Sequence, residues 1–183
     1  MTQKDDMFMR RIAAFLTLMI LAGCAGRPSL EDPLLSDRQF ELQEFFAGEL
    51  IAYGQFQDRF GKVRRRFEVE IDGTWDGETL RLVEDFVYED GTTEQRIWTL
   101  QQTGDETWTG SAPGVIGVAK GIENGDSFNW QYKIDLPVPD GTLRVDFDDW
   151  MWQLSDDRLL NVAYMQKLGV NIGSVIIYFE KLK

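Results

Sequence analysis

The chain has 183 residues, of which 43% are apolar and 27% charged, the make-up of one globular domain and not of a disordered or multi-span membrane protein. Its 19 Lys and Arg stand against 31 Asp and Glu, a net charge of -12, which repels nucleic-acid phosphates. There is no histidine and one cysteine, Cys24, so Ser-His-Asp and Cys-His catalysis, His-based zinc sites and internal disulfides are excluded.

Lys4, Arg10 and Arg11 precede an apolar run from Ile12 to Ala22. A bilayer span takes about 20 such residues, so this run reads as the apolar region of a signal peptide. It ends in Leu21-Ala22-Gly23-Cys24, which resembles the bacterial lipobox, where the peptide is cut before an acylated cysteine. The chain's only cysteine stands at that place, which favours a lipobox over a chance cysteine in an ordinary signal. Residues 1–23 are thus expected to be a lipoprotein signal peptide and Cys24 the lipidation site. The acidic pair Asp5-Asp6 is unusual in a signal's basic start, which leaves Met1, Met7 and Met9 open as the initiator. By resemblance to such lipoproteins, Ala25 in place of an aspartate implies the outer membrane, periplasmic face. An acidic body is repelled by anionic lipid, so acyl chains and not charge are expected to hold it there.

Residues 24–37 read as a lipidated tether, with two prolines and no clear period. Asp37 to Ala47 reads as one short helix, with Asp37 as N-cap and Phe40, Leu42, Phe45 and Phe46 mostly on one side. Gly48 ends it.

From Glu49 the apolar period becomes two. Phe67, Val69, Ile71 and Trp75 alternate with Glu68, Glu70, Asp72 and Thr74, and Leu143, Val145 and Phe147 alternate with Arg144, Asp146 and Asp148. Turn signals such as Asp76-Gly77, Asp90-Gly91, Asn124-Gly125 and Asp140-Gly141 separate about ten strands. These fall near 49–58, 63–75, 78–89, 92–102, 106–112, 117–123, 126–137, 142–154, 158–166 and 172–182. Sequential hairpins make an antiparallel meander, and closing it removes its exposed edges. The predicted fold is therefore all-β, a single domain over 38–183. It is an up-and-down antiparallel barrel, lipocalin- or calycin-like, with a short N-terminal helix; an open curved sheet is the alternative.

Four stretches carry a resemblance. They are Glu84-Asp85-Phe86-Val87-Tyr88-Glu89-Asp90-Gly91, Asn129-Trp130-Gln131-Tyr132-Lys133-Ile134-Asp135-Leu136-Pro137-Val138, Asp148-Asp149-Trp150-Met151-Trp152 and Met165-Gln166-Lys167-Leu168-Gly169-Val170. Together they resemble a bacterial lipoprotein family of unknown function, domain of unknown function 3833, from about Leu42 to Lys183. The resemblance departs around Gly114, where the family implies an acidic residue. It implies a proteobacterial envelope lipoprotein with a lipid-related role, and it supplies no activity or catalytic residues.

Several polar groups could carry chemistry. A two-residue turn at Asp90-Gly91 would set Asp85 opposite Arg96, as a surface pair or as an inward pair for a ligand head group. The apolar phase changes between Phe147 and Trp150, which predicts a β-bulge at Asp148-Asp149. Its aspartates would serve calcium or acid/base work, or merely bond local backbone. Arg64-Arg65-Arg66 is the one dense basic patch, fit for phosphate head groups or for solvent, with Arg65 sent to the opposite face. Six tryptophans suit a filled core or an apolar cavity. No phosphate loop, metal site or cofactor is implied.

Three functions follow. The first is an anchored protein that binds or carries a lipid- or fatty-acid-like ligand, with Asp85, Arg96, Trp98, Trp130, Asp149 and Trp150 as candidate ligand-binding residues. The second is a structural or interaction lipoprotein with a filled barrel. The third, an accessory enzyme using carboxylates, has the least behind it, and an enzyme is not the favoured reading.

Overall fold

Alternating apolar and polar residues dictate a sheet with one dry face, and a sheet long enough to close on itself puts that face inside. In a computed structural model, which describes residues 26–138 and 141–183, this is what the chain does. The signal peptide and Cys24 lie outside the described residues. Helix α1 (Leu42–Phe46) precedes β1 (Gly48–Asp58), β2 (Val63–Trp75), β3 (Thr79–Tyr88), β4 (Thr93–Gly104) and β5 (Thr107–Ser111). Then come β6 (Ala119–Asn124), β7 (Ser127–Val138), β8 (Gly141–Ser155), β9 (Arg158–Lys167) and β10 (Val170–Lys181). Each strand pairs with the next, and β1 pairs antiparallel with β10, so the barrel is closed. The expected antiparallel up-and-down barrel forms, and the open-sheet alternative does not.

The helix is shorter than the sequence predicts. The Phe40 amide donates to the Gly125 carbonyl at 2.7 Å, which holds residues before Glu41 extended. Asp37 therefore caps nothing. The buried Glu123 on β6 does that work, its Oε1 accepting from the Leu42 amide at 2.7 Å. Phe40, Leu42, Phe45 and Phe46 are all buried and plug one end of the barrel. Phe46 meets Phe179 edge-on, ring centroids 5.6 Å apart. A Cβ at residue 73 would run into the Phe46 carbonyl, so Gly73 is what lets the plug seat.

The hairpins β1–β2, β3–β4, β7–β8 and β9–β10, with the β5–β6 connection, lie at the end opposite the plug. Residues ahead of the helix, read from sequence as a tether, lie along the outer wall as a strap. The Arg27 guanidinium sits 4.0 Å from the centre of the Tyr164 ring on β9. The Leu30 carbonyl accepts from Asn124 Nδ2, and the Leu35 and Ser36 amides donate to Asp126 Oδ2 at 2.8 and 2.9 Å.

The predicted bulge at Asp148-Asp149 is absent. The ladders to β7 and β9 run through both residues without a shift, and β8 slips only at Gln153/Ser155. Asp149 keeps the inward phase of Val145 and Phe147, while Trp150 faces outward. Running from β9 to β6, the strap crosses the outer wall of β7 and β8, where Asn129 and Trp150 are buried. Trp150 and Trp152 thus put apolar side chains on the outer face, which mimicked a phase change in the sequence.

Candidate functional site

The barrel encloses a cavity of about 440 Å³. Leu42, Phe46 and Phe128 lie toward its plugged end, and Arg65, Pro137 and Val138 toward its mouth. Between them the wall is aliphatic and aromatic. Trp98 contacts Trp130 and Tyr132 edge-on at 5.7 and 5.1 Å, and Tyr132 stacks on Phe147 at 5.0 Å.

Polar side chains interrupt this wall, and the β3–β4 hairpin positions Glu84, Tyr88, Glu94 and Arg96 among them. The Tyr88 amide donates to the Thr92 carbonyl and the Gly91 amide to the Tyr88 carbonyl, both at 2.9 Å. That leaves a three-residue loop, Glu89-Asp90-Gly91, closed by Gly91 in the left-handed region (φ 80°). The register is then Glu84 opposite Arg96 and Asp85 opposite Gln95. A one-residue change of register exchanges the faces. The expected Asp85–Arg96 pair is therefore replaced by Glu84–Arg96, which faces inward. Asp85 is exposed outside, accepting from Gln95 Nε2 at 2.8 Å.

Arg96 Nη2 donates to Glu94 Oε1 at 2.8 Å, and the Tyr88 hydroxyl donates to Glu94 Oε2 at 2.9 Å. Across the cavity, the Tyr132 hydroxyl donates to Asp149 Oδ2 at 3.4 Å, while the buried Asp149 Oδ1 has no partner. Burial pushes the Glu84 carboxyl up to about 7, with Arg96 opposing and Glu94 adding to the rise. Burial also holds Asp149 well above the usual carboxylate range, and the neighbouring Asp148 adds to this. For Glu94, burial acts upward, yet Arg96 and its hydrogen bond outweigh it and the carboxyl stays low. Burial and the Glu94 hydrogen bond raise Tyr88 to about 12. Burial opposes the charge on Arg96, but Glu84, Tyr132 and Glu94 hold it firmly protonated.

Of the candidate residues, Arg96, Trp98, Trp130 and Asp149 line the cavity, whereas Asp85 and Trp150 face outward. Trp150 instead packs near Trp152, ring centroids 6.4 Å apart. The acidic cluster is divided by the pleat: Asp148 accepts from Asn129 Nδ2 at 2.9 Å outside, and Asp149 is inside. Glu84, Glu94, Tyr88 and Tyr132 were missed. Their signal was available for Glu84, a charge in phase with Leu80, Leu82 and Phe86. Arg65 does turn to the inner face, 3.4 Å over the Tyr88 ring, with Nη2 donating to Thr92 Oγ1 at 2.7 Å.

Fold and cavity together define a closed, lipocalin-like up-and-down barrel with a small-molecule-sized interior. The family model described as a protein of unknown function, DUF3833, matches residues 18–181, and the chain belongs to that family. No curated protein matches the chain. Among solved structures, it is similar to the S-type phycobiliprotein lyase CpeS from Guillardia theta, with a TM-score of 0.58 at 10% identity, covering 79% of this chain and 94% of that one. It is also similar to a protein of unknown function from the DUF3598 family of Nostoc punctiforme PCC 73102, with a TM-score of 0.52 at 13% identity. There the match covers 86% of this chain and 53% of the other. At these identities the likeness is one of fold.

Proposed function

We propose that the protein is a lipid-anchored envelope protein that holds an elongated, lipid-like small molecule inside its barrel. One observation carries this reading: a largely apolar cavity of about 440 Å³ with few polar side chains in its wall. Small-molecule sites have this size and this make-up. A purely structural barrel gains stability by filling such space with side chains, because interiors pack densely and emptied volume costs stability. The filled-barrel alternative requires side chains where this space lies. Likeness to a phycobiliprotein lyase also favours a working interior. The anchor rests on Leu21-Ala22-Gly23-Cys24, and the outer membrane on Ala25. The carboxylates inside act in this reading as binding groups, not as catalysts.

Native mass spectrometry of the protein purified from the cell envelope tests it. The expected result is a population carrying one co-purified lipid-like molecule, and competition for the cavity by the neutral dye Nile red. A bare protein that takes up no dye would overturn it.

A further inference from the structure

We infer that the molecule held in the cavity carries a hydrogen-bond-donating polar end, an amine in the strongest case and a hydroxyl next, and not a carboxylate or phosphate. This deepens the reading above and rests on it. A guanidinium in an apolar barrel first suggests an anionic head group. Here that cation already faces carboxylates: Arg96 Nη2 donates to Glu94 at 2.8 Å, Glu84 stands opposite it, and its guanidinium lies 5.1 Å from the centre of the Phe86 ring. What the cavity offers in surplus is acceptor oxygen. Glu84, Glu94 and Asp149 all line it against Arg96 within the barrel. Asp149 Oδ1 is buried with no partner, and a group in that state lowers stability until a partner reaches it. Glu84 feels burial and the charges of Arg96 and Glu94, and no hydrogen bond. A donor entering here gives Glu84 and Asp149 the partner that each lacks, and a cationic one draws both back toward their charged form. An anion would meet those oxygens at close range. The cation nearer the mouth, Arg65, is itself engaged by Thr92 and the Tyr88 ring.

The test is displacement of Nile red from the full-length protein by dodecylamine, dodecanol and dodecanoate near neutral pH. Chain length is constant, so only the polar end varies. Dodecylamine is expected to displace the dye at a concentration at least about tenfold below dodecanoate, with dodecanol between them. Asp149→Asn combined with Glu84→Gln is expected to narrow that gap while the dye still binds. Dodecanoate binding as tightly as dodecylamine to the unaltered protein overturns this inference and leaves the cavity reading standing. Failure of the dye and of all three amphiphiles to bind overturns both.

A second inference stands on different residues. We propose that the open rim of the barrel rests on the lipid bilayer that holds the Cys24 anchor, so that the mouth faces the membrane. It depends on that anchor. The strap's first contact, Arg27 on Tyr164, is three residues from the rim end of β9 (Arg158–Lys167). Cys24 lies only three residues before Arg27, about 10 Å of chain, which tethers the rim side of the barrel to the anchor. The rim is also built for such a surface. Phe60 is 80% exposed at the β1–β2 tip and Leu168 92% exposed at the β9–β10 tip. Leu168 holds φ 52°, a left-handed position where Asn or Gly is the ordinary choice, so an apolar side chain is kept at the tip despite strain. Arg59, whose guanidinium lies over the Phe60 ring, stands with Lys62 and Arg66 in one hairpin of a chain of net charge -12, where Arg64 is paired with Asp58 and Arg65 turns inward. Apolar tips flanked by cations complement the anionic lipid–water interface.

The acylated protein is reconstituted on vesicles of phosphatidylethanolamine and phosphatidylglycerol, with an environment-sensitive fluorophore on Leu168→Cys or, at the opposite end, on Asp156→Cys. Only the probe at 168 is expected to shift to the blue and to be quenched by a lipid-borne quencher. Equal water exposure at both positions overturns the orientation. Protein that fails to partition onto the vesicles overturns the anchor and the orientation together.

Discussion

Glu84 and Arg96 stand opposite each other on β3 and β4, inside the barrel and midway along the cavity wall. Arg96 gives its hydrogen bond to Glu94 instead, and burial lifts Glu84 to about 7. A carboxyl raised in the folded state binds a proton that the unfolded chain releases at its ordinary value. Between about pH 4.5 and pH 7 the native state thus holds more protons, and stability falls as pH rises through that window. Glu84→Gln removes this part of the slope and leaves the same-signed part due to Asp149. The stability of the variant relative to the unaltered protein is expected to improve between about pH 5 and pH 8, by at most about 3 kcal/mol. Urea titrations at the two pH values check it; parallel pH profiles would show that Glu84 titrates normally.

Glu123 caps α1 from another strand, its carboxylate accepting from the Leu42 amide at 2.7 Å. Glu123→Ala strands that amide at the plugged end and is expected to cost about 1–3 kcal/mol in chemical denaturation. Glu123→Gln keeps an acceptor oxygen and is expected to cost less. Equal losses for the two variants would mean that the contact does not hold the helix.

The strands were legible because inward and outward positions differ so sharply in residues such as Phe67, Glu68, Val69 and Glu70. The site was legible only in part, because it depends on register. Asp90-Gly91 marks a turn but does not say whether two or three residues lie in the loop, and that single residue decides whether Asp85 or Glu84 meets Arg96. Asp149 was noticed as a carboxylate, but its inward direction was hidden by Trp150, which is apolar on the outer face because the strap covers that wall. Asp37 looked like a helix cap because the sequence cannot show a distant Glu123 doing the same work.

Cys24→Ser is expected to move the protein from the membrane fraction to a soluble or signal-retaining form, since the chain has no other cysteine to acylate. Fractionation with mass measurement of the N-terminal peptide checks this. A variant still held fully in the outer membrane would refute the anchor.

Phe67 decides whether the interior behaves as a cavity or as a packed core. It lines the cavity, with ring centroids 5.6 Å from Phe86 and 5.9 Å from Tyr88, and its inner surface meets open space. Emptying a fully packed site by Phe→Ala costs about 3–5 kcal/mol, through lost burial plus the new void. Here part of that void already exists, so fewer contacts are lost. Phe67→Ala is expected to cost less than about 3 kcal/mol and to weaken Nile red binding while the β-rich far-UV spectrum is retained. Phe46→Ala, which removes a buried ring at the plugged end, is expected to reach the full range. Comparable losses for the two variants, with dye binding unchanged at residue 67, would mean that Phe67 packs as core and that the ligand lies elsewhere.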